Sequence, residues 1–267
     1  MLARRYDAYV VCTTPRSGST LLCSLLAATG RAGRPGSHFH GPSVDGWVRS
    51  FGLAVDPAAS RRDTLARIVA AAVERGRGGT DLFGLRLQHH GLDVLLRQLA
   101  VLHPDVVGDA DRMRAAFGRT LFVHLTRADR IGQAVSHVRA EQTGLWHRAA
   151  DGTELERLGP PAPPRYDPEA IRSRLGEALA GDRRWAAWFA TEGIVPVTVT
   201  YESLSARPAE VLADLLEHLG LERTMAEGVE PGVGKLADET SRRWVERFRA
   251  NVSRSRRSRA ARSGSAR

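Results

Sequence analysis

A short polar loop near the start of the chain constrains its fold more than any other feature. An apolar run at residues 9–12 precedes the loop PRSGST at residues 15–20, and an apolar stretch with helical spacing follows at residues 21–26. This order predicts a buried strand, a tight loop and a helix that begins at the loop.

The composition of this loop suits an anion. Gly18 lets the backbone approach a ligand closely, and the first amides of the new helix point towards that ligand. Guanidinium and hydroxyl groups add donors that match a tetrahedral oxyanion. The predicted cradle for a phosphate or sulfate group consists of Pro15, Arg16, Ser17, Gly18, Ser19 and Thr20.

Two better-known anion loops do not fit these residues. The nucleotide-hydrolase loop needs a Lys directly after its last Gly, whereas Ser19 follows Gly18 and the chain contains a single Lys, Lys235. A thiol-phosphatase loop needs a Cys several residues before its Arg, and Cys12 lies only four residues before Arg16, inside the apolar run. A Ser-capped helix that follows a turn and binds nothing remains the alternative.

Apolar runs alternate with helical patterns along the chain. The alternation predicts an α/β fold in which helices cover both faces of a parallel sheet. The predicted strands lie at residues 6–12, 82–87, 120–125 and 194–200, and the predicted helices lie at 19–29, 61–75, 91–101, 129 onwards, 169–190 and 207–219.

We predict a single domain over residues 1–251, with two long loops at 31–60 and 150–168 that are rich in Gly and Pro. Long loops in a compact domain are usually functional. The low-complexity Arg/Ser tail at 252–267 is predicted to be disordered. Residues 242–267 carry ten Arg and one Glu, so this end of the chain accounts for the whole net charge of +9. A neutral remainder predicts no dedicated nucleic-acid partner.

Composition also bears on the compartment. No apolar run is long enough to span a membrane, and the charged start lacks the small-residue cleavage site of a signal peptide. Two Cys in 267 residues give no disulfide framework, and no Cys/His spacing resembles a zinc site. We therefore expect a cytoplasmic protein without a metal.

Several polar residues follow directly on predicted strands. Ligands of parallel α/β sheets gather at the carboxyl ends of the strands, where Arg86, Arg127, Tyr201 and Glu202 join the 15–20 loop. Ser136 lies nine residues after Arg127, about two turns into the next helix. Arg127 and Ser136 can grip one anion from two sides, which predicts a ligand with two separated anionic groups.

Three motifs in this order resemble the sulfotransferases that use 3′-phosphoadenylyl sulfate (PAPS), and among them the bacterial trehalose 2-sulfotransferase type. They are PRSGST at 15–20, HLTRADRIGQAVS at 124–136 and ADETSRRWVERFR at 237–249. The resemblance implies the sulfotransferase fold, whose parallel sheet is P-loop-like with helices on both faces. It also implies sulfuryl transfer from PAPS, without a metal, to a hydroxyl of a carbohydrate, glycolipid or other small molecule.

The resemblance implies a role for each matching residue. The 15–20 loop would hold the 5′-phosphosulfate, with Arg16 on the bridging oxygen and the sulfuryl group. Arg127 and Ser136 would bind the 3′-phosphate, and Lys235 would close over the nucleotide. Arg86 would face the acceptor, and the family suggests a homodimer.

The chain departs from the family pattern at the position of the catalytic base, the residue that takes the proton of the acceptor hydroxyl. This subfamily has a Glu shortly after a Pro in the loop that follows the first helix, and Ser37 stands at that position. His38 and His40 follow it within three residues, and an imidazole titrates near neutral pH. One of them is the candidate catalytic base, against the alternative that both are surface residues. His89 and His90 begin a predicted helix and either line the acceptor pocket or lie on the polar surface, and the sequence favours the surface position.

Two other functions stay open at this point. A protein that has lost its catalytic base would bind 3′-phosphoadenosine nucleotides without transferring a group. A P-loop-like kinase is a weaker alternative, because the loop lacks a Lys and no strand ends in an obvious Mg²⁺ carboxylate.

Overall fold

The computed structural model describes residues 5–54, 58–149, 151–234 and 236–264, and side chains as far as residue 254. Two compact units are present. The first comprises Met1–Ala128 and Ala180–Gly232, and the second comprises Asp129–Leu179 and Val233–Arg267. The sequence did not indicate this division, because the chain crosses from one unit to the other without a linker-like change in composition.

The strands are β1 (Ala8–Thr13), β2 (Phe83–Gln88), β3 (Thr120–Thr126), β4 (Leu145–Arg148), β5 (Glu154–Arg157) and β6 (Val197–Thr200). The helices are α1 (Ser19–Ala28), α2 (Val44–Phe51), α3 (Arg61–Arg77), α4 (His89–Leu102), α5 (Asp109–Phe117), α6 (Arg130–Thr143), α7 (Pro168–Thr191), α8 (Tyr201–Ala206), α9 (Pro208–His218) and α10 (Glu239–Gly264), with a 3₁₀ turn at Arg223–Ala226.

A four-stranded parallel sheet organises the first unit. The strand order is β2-β1-β3-β6, and every residue of the central strand β1 is buried. Alternate residues of a strand point to opposite faces. Val10 packs among residues of α3 and α4 on one face, whereas Val11 packs among residues of α1 and α9 on the other. The predicted α/β class, with helices on both faces of a parallel sheet, is confirmed.

The strand register brings the polar strand ends together. Thr13 at the end of β1 lies opposite Gln88 of β2 and Leu125 of β3, and Arg86 lies opposite Val11. Because all strands of this sheet run in the same direction, the loop after β1 emerges beside the carboxyl ends of β2 and β3.

The predicted structureless loop at 31–60 was wrong over one stretch, since α2 lies within it. Ser43 caps this helix by accepting a hydrogen bond from the amide of Gly46 at 3.1 Å. Trp47 is fully buried and packs edge-on against Phe39 with ring centroids 5.2 Å apart. Tertiary packing stabilises this short helix, and packing of that kind leaves little periodic signal in eight residues.

The second unit has a small apolar core of its own. Val135 and Val138 of α6 pack with Ile171 of α7 and with Trp244 and Phe248 of α10. The antiparallel strands β4 and β5 form a hairpin. Its second strand occupies part of the predicted loop at 150–168, so that prediction was also wrong locally.

The last helix differs from the sequence-based expectation for the tail. The backbone of α10 is helical to Gly264, whereas disorder was expected from residue 252. Ala and Arg are good helix formers, so their abundance favours continuation of a helix that is already nucleated. Among the described residues, no helix combines the length and apolarity needed to cross a bilayer.

Candidate active site

The anion loop at 15–20 has an unusual backbone. Arg16 has a φ of 63°, the only positive φ of a non-Gly residue in the described part of the chain. Gly18 has a φ of 92° and occupies the N-cap of α1, where it has no side chain to accept the first amides of the helix. A Cβ at this position would lie 2.5 Å from Cδ2 of Tyr201. Strained backbone of this kind is typical of functional loops, and no side chain at the N-cap accepts a hydrogen bond from the first turn of this helix.

The hydroxyls of the loop divide into two groups. Ser17 is fully buried, and its hydroxyl is hydrogen-bonded to that of Thr13, which lies 3.2 Å from the carbonyl oxygen of Leu125. This chain of bonds ties the loop to β1 and β3. Thr20 lies on the first turn of α1 and accepts a hydrogen bond from Nη1 of Arg86 at 3.0 Å. The side chain of Ser17 therefore fixes the loop, whereas the sequence had suggested it as a ligand donor.

Arg86 links the anion loop to the segment that carries the candidate bases. Its Nε donates to Oγ of Ser37 at 2.9 Å while its Nη1 holds Thr20. The backbone amide of Arg86 also donates to the carbonyl oxygen of Gly36 at 2.9 Å, and Gly36 pairs in parallel with Leu85. The segment that begins at Gly36 thus extends the sheet at β2 and is held next to the guanidinium.

His38 does not face solvent. It is 8% exposed, and its Nε2 lies 3.1 Å from the carbonyl oxygen of Gly84, to which it donates. Its ring stacks on Phe83 with centroids 5.9 Å apart. Burial lowers the pKa of His38, an effect that the backbone hydrogen bond to Gly84 partly opposes. These contacts give His38 a structural role and argue against it as the base.

His40 is exposed and lines a cavity of about 280 Å³. A turn holds it in place, because its amide donates to the carbonyl oxygen of Ser37 at 3.2 Å and its own carbonyl accepts from Nε1 of Trp47 at 3.1 Å. The cavity lining also includes Ser37, Phe39, Gly41, Pro42, Arg86, Leu87, Gln88, His90, Gly91 and Val94. Of the two predicted His, only His40 reaches this space.

Arg127 lies beside the anion loop. Its Nη1 donates to the backbone carbonyl of Arg16 at 3.3 Å, and its guanidinium lies 4.6 Å from the ring centroid of Tyr201. Glu202, the next residue, accepts a hydrogen bond from the amide of Ala128 at 3.0 Å. The predicted convergence of strand ends is present here, since β3 and β6 deliver Arg127 and Tyr201 to the loop after β1.

Ser136 belongs to the second unit, where it is half-buried on α6 and lines a cavity of about 330 Å³. Arg139, one turn further on, forms a bidentate ion pair with Asp238 at 2.6 and 2.8 Å. The predicted pairing of Arg127 with Ser136 stays a prediction. Lys235 lies outside the described residues.

Neither thiol of the first unit is exposed. Burial raises the pKa of Cys12 well above its usual value and raises that of Cys23 to about 11, although the positive charge of Arg86 opposes the shift at Cys23. Both thiols are therefore protonated at neutral pH and poor nucleophiles. In the described residues, no group of three or more His, Cys, Asp or Glu is placed to hold a metal ion.

The sequence matches a known protein family over most of its length. The model of the Stf0 sulphotransferase family matches residues 8–251. The chain belongs to this family. The resemblance inferred from the three motifs is thereby confirmed, and the protein is a sulfotransferase.

Two curated relatives of this sulfotransferase are trehalose 2-sulfotransferases. The protein of Mycobacterium tuberculosis is 31% identical over 282 residues, which cover 95% of this chain and 98% of the relative. The protein of Mycolicibacterium smegmatis is 31% identical over 268 residues, which cover 92% and 96%. Among solved structures, the sulfotransferase domain of the Synechococcus PCC 7002 olefin synthase has a TM-score of 0.42 and 14% identity, covering 91% of this chain and 86% of that domain.

For one residue of this sulfotransferase's cavity, the sequence favoured the other of two interpretations. His90 was placed on the polar surface in preference to a pocket, yet it lines the cavity with His40, their ring centroids 6.5 Å apart. A His at the start of a helix that follows Arg86 by four residues is the signal that was available.

Proposed function

We propose that this sulfotransferase transfers the sulfuryl group of PAPS to a hydroxyl of a carbohydrate, and that trehalose is the first acceptor to test. One observation carries the proposal. Arg86 holds Thr20 of the anion loop with one nitrogen and Ser37 of the cavity wall with another, so a donor site and an acceptor site lie on either side of one guanidinium. The names of the two curated relatives support the choice of acceptor class.

The residues of the donor side suit the two anionic ends of PAPS. The uncapped first turn of α1 and the guanidinium of Arg16 suit the 5′-phosphosulfate. Arg127 is tied to the same loop through the carbonyl of Arg16, so a second anionic group of one ligand has a cation nearby. By family resemblance, Arg127 would bind the 3′-phosphate together with Ser136, and Lys235 would close over the nucleotide.

The chemistry of the donor side is electrostatic. Negative charge grows on the oxygen that bridges sulfur and the 5′-phosphate as the bond between sulfur and this oxygen breaks. Donors that are already oriented towards this oxygen stabilise the transition state without further reorganisation. We assign that role to Arg16 and to the amides of the first turn of α1.

The acceptor side supplies the base. The acceptor oxygen attacks sulfur, its O–H bond breaks, and the proton passes to a nitrogen of His40. The bond between sulfur and the bridging oxygen breaks, and its electron pair leaves with that oxygen on the 5′-phosphate of the nucleotide. Arg86 lies between the two sides and interacts with the sulfuryl oxygens during transfer.

A transfer assay tests this function. The wild type and the variants His40→Gln and His218→Gln are incubated with sulfur-labelled PAPS and with trehalose, glucose or a glycolipid. We expect labelled sugar from the wild type and from His218→Gln, whose substituted side chain is exposed on α9, and much less from His40→Gln. Nucleotide binding without transfer to any acceptor would instead favour the non-catalytic alternative.

Three further expectations belong to this proposal. The family suggests a homodimer, the composition suggests a cytoplasmic location, and the neutral charge of residues 1–241 suggests that no nucleic acid is a dedicated partner. Each stays a prediction.

A further inference from the structure

The cavity that holds His40 has a distinctive chemical lining. Its residues, all in the described part of the chain, include Arg86 but no Asp or Glu. The side chains there that can accept a proton near neutral pH are His40 and His90. A base that acts on a ligand in this cavity is therefore an imidazole.

Both imidazoles are positioned by the fold and are open to solvent. Two backbone hydrogen bonds hold the turn at His40, as described above. His90 is the second residue of α4, which follows β2 directly and begins beside Arg86. The two rings meet edge-on, with an interplanar angle of 77° and a centroid separation of 6.5 Å. Both side chains are exposed, so a bound sugar can reach either of them.

We propose that His40 and His90 act together as an imidazole pair that receives the proton of the acceptor hydroxyl, which makes His90 a second catalytic residue. The inference rests on the proposed function, because it takes the cavity as the acceptor site. The ligand class is a polyhydroxyl compound, since Gln88 and Ser37 offer hydrogen bonds while Phe39, Leu87 and Val94 offer apolar contact.

The surroundings of His90 disfavour a positive charge on its ring. Partial desolvation by neighbouring groups lowers the pKa of the exposed His90, and the positive charge of His40 lowers it further. Arg86 lines the same cavity, and the positive end of α4 disfavours a second positive charge there. His89 also has a lowered pKa, mainly through burial, with Arg184 and His90 acting in the same direction and Asp93 against it. A proton on His40 therefore makes a second proton on His90 less favourable.

The proton of the acceptor hydroxyl moves first to His40 and then to His90. The O–H bond of the acceptor breaks and an N–H bond forms on His40, while the acceptor oxygen bonds to sulfur and the bridging oxygen leaves with its electron pair. The imidazolium then passes the proton through one bridging water to His90, which releases it to solvent. Without His90, the cavity lining holds no second base to take the proton from His40.

A double-mutant cycle tests the pair. The variants are His40→Gln, His90→Gln and the combination of both, with His218→Gln as the control. With trehalose as acceptor, we expect each single variant to lose ~100-fold in kcat. The double variant should lose little more than the less active of the two single variants, because the effects of residues that act as a unit are not additive. Full kcat for His90→Gln, or losses that multiply in the double variant, would overturn the proposal.

Two more measurements separate this inference from the proposed function. Calorimetry with 3′-phosphoadenosine 5′-phosphate (PAP) should give the same affinity for the wild type and all four variants, and failure of the wild type to bind PAP would defeat the proposed function itself. Histidine NMR needs no acceptor: the pKa of His90 should rise in His40→Gln, because a nearby positive charge is removed, while that of His89 stays unchanged. An unchanged pKa of His90 would show that the rings do not interact. That result would contradict the imidazole pair and leave the proposed function standing.

Discussion

The anion loop and the wall of the cavity that we propose as the acceptor site lie in the same unit but are built in different ways. The loop is six consecutive residues whose shape is set locally, by the left-handed conformations of Arg16 and Gly18 and by the bond of Ser17 to Thr13. The wall is assembled from three segments, of which 36–42 is placed by its contacts with β2 and α2. The proposed donor site therefore depends mainly on local backbone conformation, whereas the proposed acceptor site depends on packing between distant segments.

The largest effect should come from the loop. We expect Arg16→Ala to lower kcat by ~10²–10³, because it removes a donor to the oxygen on which charge develops. Transfer kinetics with PAPS and trehalose measure this effect. Arg16→Gly is the matched variant, since Gly tolerates the φ of 63° that Ala does not. An equal loss in both variants assigns the effect to the guanidinium, and a loss in Ala alone would assign it to the backbone.

A second prediction concerns the backbone of the loop. Gly18→Ala should weaken PAP binding by ~10- to 100-fold, because the new Cβ meets the ring of Tyr201 and a left-handed non-Gly residue costs ~1–3 kcal/mol. Gly176→Ala is the control, since a Cβ there meets nothing within 4 Å on α7. Calorimetry measures both. Unchanged PAP binding in Gly18→Ala would contradict a loop held in this conformation for the ligand.

A third prediction concerns Ser37 of the cavity wall, the position at which the family resemblance implies a Glu. In the background of His40→Gln, Ser37→Glu should restore ~10-fold in kcat, because it places a carboxylate beside Arg86 where a base is missing. Steady-state transfer assays at neutral pH measure the recovery. If Ser37→Glu restores nothing while PAP still binds, the wall at Ser37 does not face the reacting hydroxyl.

The smallest effect concerns stability and separates His38 from His40. Burial lowers the pKa of His38 in the folded protein below the ~6.5 of an unfolded chain. The unfolded state therefore binds the proton first, and stability falls as the pH drops through the unfolded pKa towards the folded one. The lowered pKa values of His89 and His90 act in the same direction.

Urea unfolding at about pH 7 and about pH 5, on either side of the unfolded histidine pKa, measures this effect. We expect His38→Leu to be less stable than the wild type by ~1 kcal/mol at neutral pH, because the carbonyl of Gly84 loses its donor. Between the higher and the lower pH, the free energy of unfolding of His38→Leu should fall by less than that of the wild type. His218→Leu, at an exposed position, is the control. An unchanged pH dependence in His38→Leu would show that His38 titrates normally.

The sequence predicted what depends on order along the chain. The strand–loop–helix junction, the four strands of the parallel sheet and the placement of Arg86 and Arg127 at strand ends all follow from apolar runs and their boundaries. The motifs predicted the family for the same reason, since they are short and contiguous. Local signals were enough to place the anion loop between β1 and α1.

What the sequence did not predict depends on contacts between distant residues. His38 and His90 illustrate this, because one is buried by Phe83 and Gly84 and the other lines a cavity, yet both are polar residues beside loops. The helix α2 depends on the burial of Trp47 against Phe39. Only the folded chain distinguishes an imidazole that supports the sheet from one that can act on a ligand.

The most direct test of the central claim is calorimetric binding of PAP to the wild type and to Arg127→Ala, with adenosine 5′-phosphate as the comparison ligand and Arg67→Ala, exposed on α3, as the control variant. We predict tight PAP binding by the wild type and by Arg67→Ala. Binding should weaken strongly when either the 3′-phosphate or the guanidinium of Arg127 is removed. Equal affinity for PAP and adenosine 5′-phosphate would contradict a PAPS site at this loop.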